Sequence, residues 1–274
     1  MAPQKIVTIA GSDILAGGGI QADLATFNEY GLFGLSVITS IVTVTAEDFT
    51  IHPVDLVTVA EQLEAIFALT DVAGIKVGLL PSVAHIELVA QYLRRYAQHL
   101  PIIIDPVMAF KETQDVTVQE LVMAFKQELL PLATVMTPNL VEAEFLTGMT
   151  INTQADLVAA GHKLLETGAQ AVVVKGGARI AGDMAVDVIV TTSGEQLLIN
   201  PKETTIFNNG AGCTFASAIA SQLVQGIPVM AAVTDAKDFV YQAIKNGVIL
   251  NKQFNVGNVW QAARRIKETT NHEN

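Results

Sequence analysis

Short apolar runs alternate with longer helical patterns along most of this chain, and that alternation limits its fold more than any other feature. Strand candidates are Lys5–Ala10, Ser36–Val44, Gly74–Val77, Ile102–Asp105, Thr134–Thr137 and Ala171–Lys175. They are nearly continuous apolar runs, the pattern of strands covered on both faces. Apolar residues at helical spacing predict helices over Ile20–Tyr30, Leu56–Leu69, Ser82–Gln98, Val118–Leu129, Leu140–Thr147, Gln154–Thr167, Thr214–Gln225 and Val229–Leu250. Such alternation argues for an α/β fold, a mainly parallel sheet between two helical layers. Right-handed crossovers then place the strand C-termini along one edge. The segment from Met184 to Ile206 departs from this, because Ser193-Gly194 between two apolar runs predicts a hairpin. No repeat, low-complexity tract or linker divides the chain, so residues 1–274 read as one domain.

Composition narrows the function. Half of the residues are hydrophobic and 16% are charged, which excludes a disordered protein. The net charge of -11 argues against nucleic acid as a partner, since that binding rests on basic patches. A single cysteine excludes an intrachain disulfide and a multi-cysteine zinc site. The apolar run near the N-terminus is too short for a signal peptide, and no uncharged apolar run reaches about 18 residues. No membrane partner and a cytoplasmic location are therefore expected.

Ligands of open α/β sheets bind beyond the carboxyl ends of the strands. Polar residues collect at those ends. Gly11, Ser12 and Asp13 follow the first strand, then Gly17, Gly18 and Gly19. Asp105 follows the fourth, Thr137 to Glu142 the fifth, and Lys175, Gly176 and Gly177 the sixth. Each admits a plainer reading as a turn or cap; Asn139 with Glu142 has the form of a capping box. In the segment Asn208-Asn209-Gly210-Ala211-Gly212-Cys213-Thr214, two glycines precede a helix. Free N–H groups and the helix dipole there favour an anion. Cys213 stands at the helix entrance, where a thiolate forms more easily than in solution; the alternative is a small buried packing residue.

Neither GxxxxGK[ST] nor a complete GxGxxG is present, which argues against a P-loop kinase and a dinucleotide-binding enzyme. HExxH is also missing. Asp105 and Glu142 at adjacent strand ends suit magnesium, which is held by one or two carboxylates with water and phosphate oxygens. With Lys175 and the anion cradle, the inventory suits phosphoryl transfer from a magnesium nucleotide.

The stretch GSDILAGGGIQADLATF resembles the GSDxSGGAGIQADLKTF of hydroxymethylpyrimidine and pyridoxine kinases, in the ribokinase-like superfamily. IDPVM at 104–108, TPNLVEAEFLTG at 137–148, VVVKGG at 172–177 and NGAGCTFASAIA at 209–220 match that group in order. The similarity covers nearly the whole chain. It implies a three-layer α/β/α sandwich, a homodimer, and ATP-dependent phosphorylation of a hydroxymethyl group on a six-membered nitrogen heterocycle. By resemblance, Cys213 takes or orients the substrate hydroxyl proton as a thiolate, while the N–H groups of Gly210, Ala211 and Gly212 stabilise the transferring phosphoryl group. Asn139 and Glu142 match the N-x-x-E motif that handles magnesium, with Asp105 beside the same phosphates. Lys175 and Gly177 are expected at the ATP phosphates and Lys237 near adenine. Gly11, Ser12, Asp13, Gly19, Asp23, Val44, Leu80 and Val107 are expected to face the heterocycle, and Lys111 belongs to a cover over the site. Whether potassium assists is left open.

Departures from the family pattern bear on the substrate. Ile14, Leu15 and Ala16 replace serines and a glycine in the first turn, and Asn209 stands where His is common. Val44 aligns with a Gln whose amide can pair with an aminopyrimidine. Val offers neither donor nor acceptor, so the expectation is the pyridoxine/pyridoxal/pyridoxamine branch. The alternatives are a hydroxymethylpyrimidine or phosphomethylpyrimidine kinase and a non-catalytic nucleotide-binding protein.

Overall fold

A computed structural model describes residues 2–44, 49–97, 99–108, 116–251 and 256–266. In chain order its elements are β1 (Lys5–Asp13), α1 (Gly19–Glu29), β2 (Phe33–Val44), β3 (Phe49–Pro53), α2 (Leu56–Phe67), β4 (Val72–Val77), α3 (Val83–Tyr96) and β5 (Ile102–Ile104). They continue with α4 (Val116–Ala124), β6 (Val135–Met136), α5 (Leu140–Thr147), α6 (Gln154–Leu165), β7 (Ala171–Gly177), β8 (Met184–Thr191) and β9 (Gly194–Pro201). The last are β10 (Phe207–Asn209), α7 (Ala211–Val224), α8 (Val229–Lys245), β11 (Val248–Asn251) and β12 (Val256–Asn258).

Nine strands form one sheet in the order β3-β2-β1-β4-β5-β6-β7-β8-β9. The six from β2 to β7 run parallel, and β3, β8 and β9 are antiparallel additions at the two edges. Successive side chains of a strand point to opposite faces. Val7 and Ile9, Ile102 and Ile104, Val172 and Val174 therefore pack under α2, α3, α5 and α6. Their neighbours Ile6, Ile103, Ala171 and Val173 pack under α1, α7 and α8. The α/β/α sandwich and the β8–β9 hairpin agree with the sequence pattern.

Three elements differ from expectation. The edge strand β3 was not foreseen. The predicted helix over Val118–Leu129 is α4 followed by a wider π turn at Phe125–Leu129. The helix expected to reach Leu250 stops at Lys245, and Val248–Asn251 joins β12 and β10 in a small second sheet. Val248, Ile249 and Leu250 fit either period. Gly247 decides the matter, since a Cβ there would stand 2.2 Å from Cβ of Phe207, a packing that no larger residue permits.

From β1 the chain passes to β2 on one side, and β4 lies on the other. This is a topological switch point, where a crevice opens beyond the strand ends.

Candidate active site

The switch point is filled by two glycine turns in contact. Gly210 adopts φ 82°, a left-handed conformation that suits glycine, and it opens α7 without a side-chain cap. The first N–H groups of a helix have no partner within it, so Ala211 to Cys213 present a ring of donors. A Cβ on Gly210 would meet the backbone of Gly17 and Gly18 at 3.5 and 3.6 Å. Across this contact the N–H of Gly19 donates to Sγ of Cys213 at 3.3 Å. The helix begins at Ala211 rather than at Thr214, which places Gly212 and Cys213 inside its first turn.

Cys213 is half-buried, and burial pushes its thiol up to about 11. Lys76 and the Gly19 N–H draw it down, while Asp23 and Asp105 push it further up. The expected thiolate is therefore not the resting state. Desolvation and two carboxylates outweigh the helix entrance, and the sulfur is a neutral thiol at pH 7.

On the other side of α7's first turn lie the charged strand ends. Nζ of Lys175 pairs with Oδ1 of Asp105 at 2.8 Å, and that oxygen also accepts from Thr137 Oγ1 at 3.0 Å. A Cβ on Gly212 would stand 3.2 Å from Nζ of Lys175 and 3.9 Å from Oδ2 of Asp105, so glycine here admits the pair to the helix terminus. Burial works against both charges. Asp105 and Glu142 nevertheless hold the Lys175 ammonium above its ordinary value. Lys175 and Lys76 in turn hold the Asp105 carboxyl below the usual range.

Glu142 and Asn139 do form the capping box. Asn139 N–H donates to Glu142 Oε2 at 2.7 Å, and Glu142 N–H donates to Asn139 Oδ1 at 3.0 Å. Burial raises the Glu142 carboxyl to about 7, with Lys175 opposing and Asp105 adding to the rise. Capping thus accounts for the local spacing without removing a titratable carboxylate from the site. Among the described residues no group of three or more His, Cys, Asp or Glu is placed to hold a metal. Two carboxylates near a phosphate cradle still fit magnesium, which fills its remaining positions with water and phosphate oxygens.

A cavity of about 320 Å³ extends from this cluster between α7, α8 and the β7–β9 edge. Its polar wall includes Asn139, Lys175, Gly177 and Gly212, and its apolar wall includes Phe215, Val240 and Ile244. Lys237 also lines it, bound to Asp187 Oδ2 at 2.7 Å, while Gly177 N–H donates to Asp187 Oδ1 at 2.9 Å. The volume lies at the lower end of the range of small-molecule sites.

The expected ring-facing residues divide. Ser12 and Asp13 are braced by Gln21, which donates to Ser12 Oγ at 2.8 Å and accepts from Asp13 N–H at 3.0 Å. Gly11 and Gly19 belong to the same turn: a Cβ on Gly19 would lie 2.2 Å from the Gly11 carbonyl oxygen. Val44 ends β2 half-buried, opposite Phe49, and Val107 is half-buried just beyond β5. Asp23 does not face the crevice. It is fully buried, bonded to Thr8 at 2.6 Å, Lys76 at 2.9 Å and Ser217 at 2.7 Å, so both oxygens are taken. Leu80 is also misplaced, since it is 3% exposed within the hydrophobic core. Its half-buried neighbour Leu79 touches the space beside Gly11, a shift of one residue that reverses the facing. Lys111 lies outside the described residues. Lys76 was missed by sequence reading, although a lysine inside the buried run of β4 was its available signal.

The family described as phosphomethylpyrimidine kinase matches residues 13–258. A pyridoxine kinase of Bacillus subtilis is 38% identical over 98% of this chain and 99% of its own length. A hydroxymethylpyrimidine/phosphomethylpyrimidine kinase of Haemophilus influenzae is 37% identical over 95% of this chain and 98% of its own. The pyridoxal kinase of Staphylococcus aureus, solved in complex with AMP-PCP and pyridoxal, superimposes with a TM-score of 0.89. It is 34% identical, covering 96% of this chain and 95% of that structure.

Proposed function

This chain belongs to the phosphomethylpyrimidine kinase family of phosphotransferases, and from that premise we propose that it transfers the γ-phosphoryl group of ATP to the 5′-hydroxymethyl group of pyridoxine, pyridoxal or pyridoxamine. The observation that carries this reading is the seat of Cys213. Its sulfur lies between the first glycine turn and the N-terminus of α7, one residue from the Gly212 backbone that meets Lys175 and Asp105. An alcohol resting against the sulfur thus faces a ring of N–H donors and a lysine. Phosphoryl transfer is mainly positioning and charge neutralisation, which these groups supply.

In this reading the cavity beside Lys175, Gly177, Lys237 and Asn139 takes ATP, with the apolar wall of Phe215, Val240 and Ile244 against the base. Asp105 and Glu142 would hold magnesium, which would offset phosphate charge. Gly210, Ala211 and Gly212 donate to the transferring group. Cys213, as a neutral thiol, orients the substrate hydroxyl rather than ionising beforehand. Gly11, Ser12, Asp13, Gly19, Val44 and Val107 border the ring, and two copies of the chain form a homodimer. Val44 supports the pyridoxine choice, since it gives an aminopyrimidine edge nothing to pair with.

An ATP-consumption assay with pyridoxine, pyridoxal and hydroxymethylpyrimidine tests the reading. Turnover is expected with the first two, while turnover with the pyrimidine alone reverses the substrate, and none with any leaves a nucleotide binder. Cys213→Ala is expected to lower kcat about a hundredfold with little change in nucleotide affinity; equal losses in both make the cysteine structural.

A further inference from the structure

Two helices meet at Cys213 and are joined again one turn below it. The N–H of Gly19, which opens α1, donates to Sγ of Cys213 on α7 at 3.3 Å. Four residues on in each helix, Asp23 accepts from Ser217 at 2.7 Å. Positions i and i+4 share a helix face, so these are matched contacts along one seam. The other oxygen of Asp23 takes Thr8 of β1 at 2.6 Å and Lys76 of β4 at 2.9 Å. Lys76 has no exposed side-chain surface. A Cβ on Gly78 would stand 2.7 Å from its Nζ, so the absence of a side chain there leaves the ammonium its place.

We propose that Lys76 is a positioning residue for Cys213: paired with Asp23 beneath the α1–α7 seam, it fixes the sulfur's place and the charge beneath it. The inference rests on Cys213 being the group that meets the substrate hydroxyl. Among the described residues, four charged side chains act electrostatically on that sulfur: Lys76 from β4, Asp23 from α1, Asp105 beyond β5 and Lys175 from β7. The last two are engaged with each other, and Lys175 lines the proposed nucleotide cavity. Lys76 and Asp23 are fully buried and do not line that cavity, so their charges are a fixed background that ligands there do not displace. Loss of the lysine leaves an anion beside the thiol and weakens its acidity. Loss of the aspartate charge leaves a cation and strengthens it.

Because the chain has one cysteine, its alkylation by iodoacetamide, a neutral reagent, reports Cys213 alone. At pH 8, Lys76→Met is expected to react about tenfold more slowly than the parent, and Asp23→Asn about tenfold faster, as expected from one unit of opposite shift. Unchanged rates in folded variants overturn the proposal, and so do two shifts of the same sign, which indicate loosened packing. Where a single variant fails to fold, the double variant decides, since its buried pair is neutral and of similar shape. Lys76 acts on the thiol more strongly than Asp23 does, so the double variant should react more slowly than the parent by less than tenfold; an equal or faster rate overturns the proposal. Opposite shifts in a chain that phosphorylates neither vitamin nor pyrimidine sustain the charge pair and remove the catalytic reading.

Discussion

Among the buried lysine–aspartate pairs of the described residues, Lys76–Asp23 and Lys175–Asp105 are of nearly equal length, and they do different work. Lys76–Asp23 closes at 2.9 Å with both side chains fully sealed, and Thr8 and Ser217 complete the carboxylate. Lys175–Asp105 closes at 2.8 Å with the lysine side chain 14% exposed to a cavity, beside a glutamate whose carboxyl titrates near 7. An ion pair does not by itself mark a site. A sealed pair holds its surroundings in place, because no ligand can reach it and breaking it strands a charge. An open pair can exchange partners with an incoming phosphate. The difference comes from what covers each lysine: both stand close to the end of their strands, but Lys76 is enclosed with Asp23, Thr8 and Ser217 beneath α1 and α7, whereas Lys175 lines the cavity.

The largest expected effect breaks the sealed pair. Lys76→Met should cost about 3–5 kcal/mol of stability in urea denaturation, the usual penalty for an orphaned buried charge. Lys175→Met should reverse the balance, with kcat/KM for ATP-dependent phosphorylation down about a hundredfold and a smaller loss of stability. Similar stability losses in the two variants would erase the distinction.

Glu142 sharpens the open side. Its folded pKa of about 7 lies above the ordinary value of 4.5, so the folded state binds its proton more tightly. The associated stability is fully present below about pH 4.5 and is lost as pH rises through about 7. Glu142→Gln keeps an acceptor for Asn139 N–H and has no such proton. Its melting temperature, relative to the parent, should therefore rise between pH 5 and pH 8 in nucleotide-free protein. A constant difference would mean that the carboxylate is not strained. The smallest effect lies away from both pairs. Ala16 sits at φ 53°, where L residues are strained, and Ala16→Gly should change stability by less than about 1 kcal/mol because added chain freedom offsets the relief. Calorimetry checks this, and alkylation of Cys213 should stay unchanged.

Much of the cavity lining was legible in the sequence. Asn139, Lys175, Gly177 and Gly212 stand at strand ends and helix starts, where local spacing forecasts backbone geometry, and all four line the cavity. The ring side was less so. Asp23 lies on a helix face, and sequence periodicity alone does not reveal whether such a face meets a ligand or another helix. Leu80 missed by one residue, because it lies beyond β4, where no strand or helix period forecasts which side chain turns inward. The second sheet escaped because Val248, Ile249 and Leu250 satisfy both periods.

By itself the sequence determined the layered sheet, the glycine turn that opens α7 and the carboxylates and lysine beside it, since each follows from neighbours close along the chain. Only the tertiary structure decided that the lone thiol rests neutral, that Asp23 is sealed and that Lys76 lies beneath both. Residues 23, 76 and 213 come from α1, β4 and α7, and burial and charge act through the space these elements share when packed.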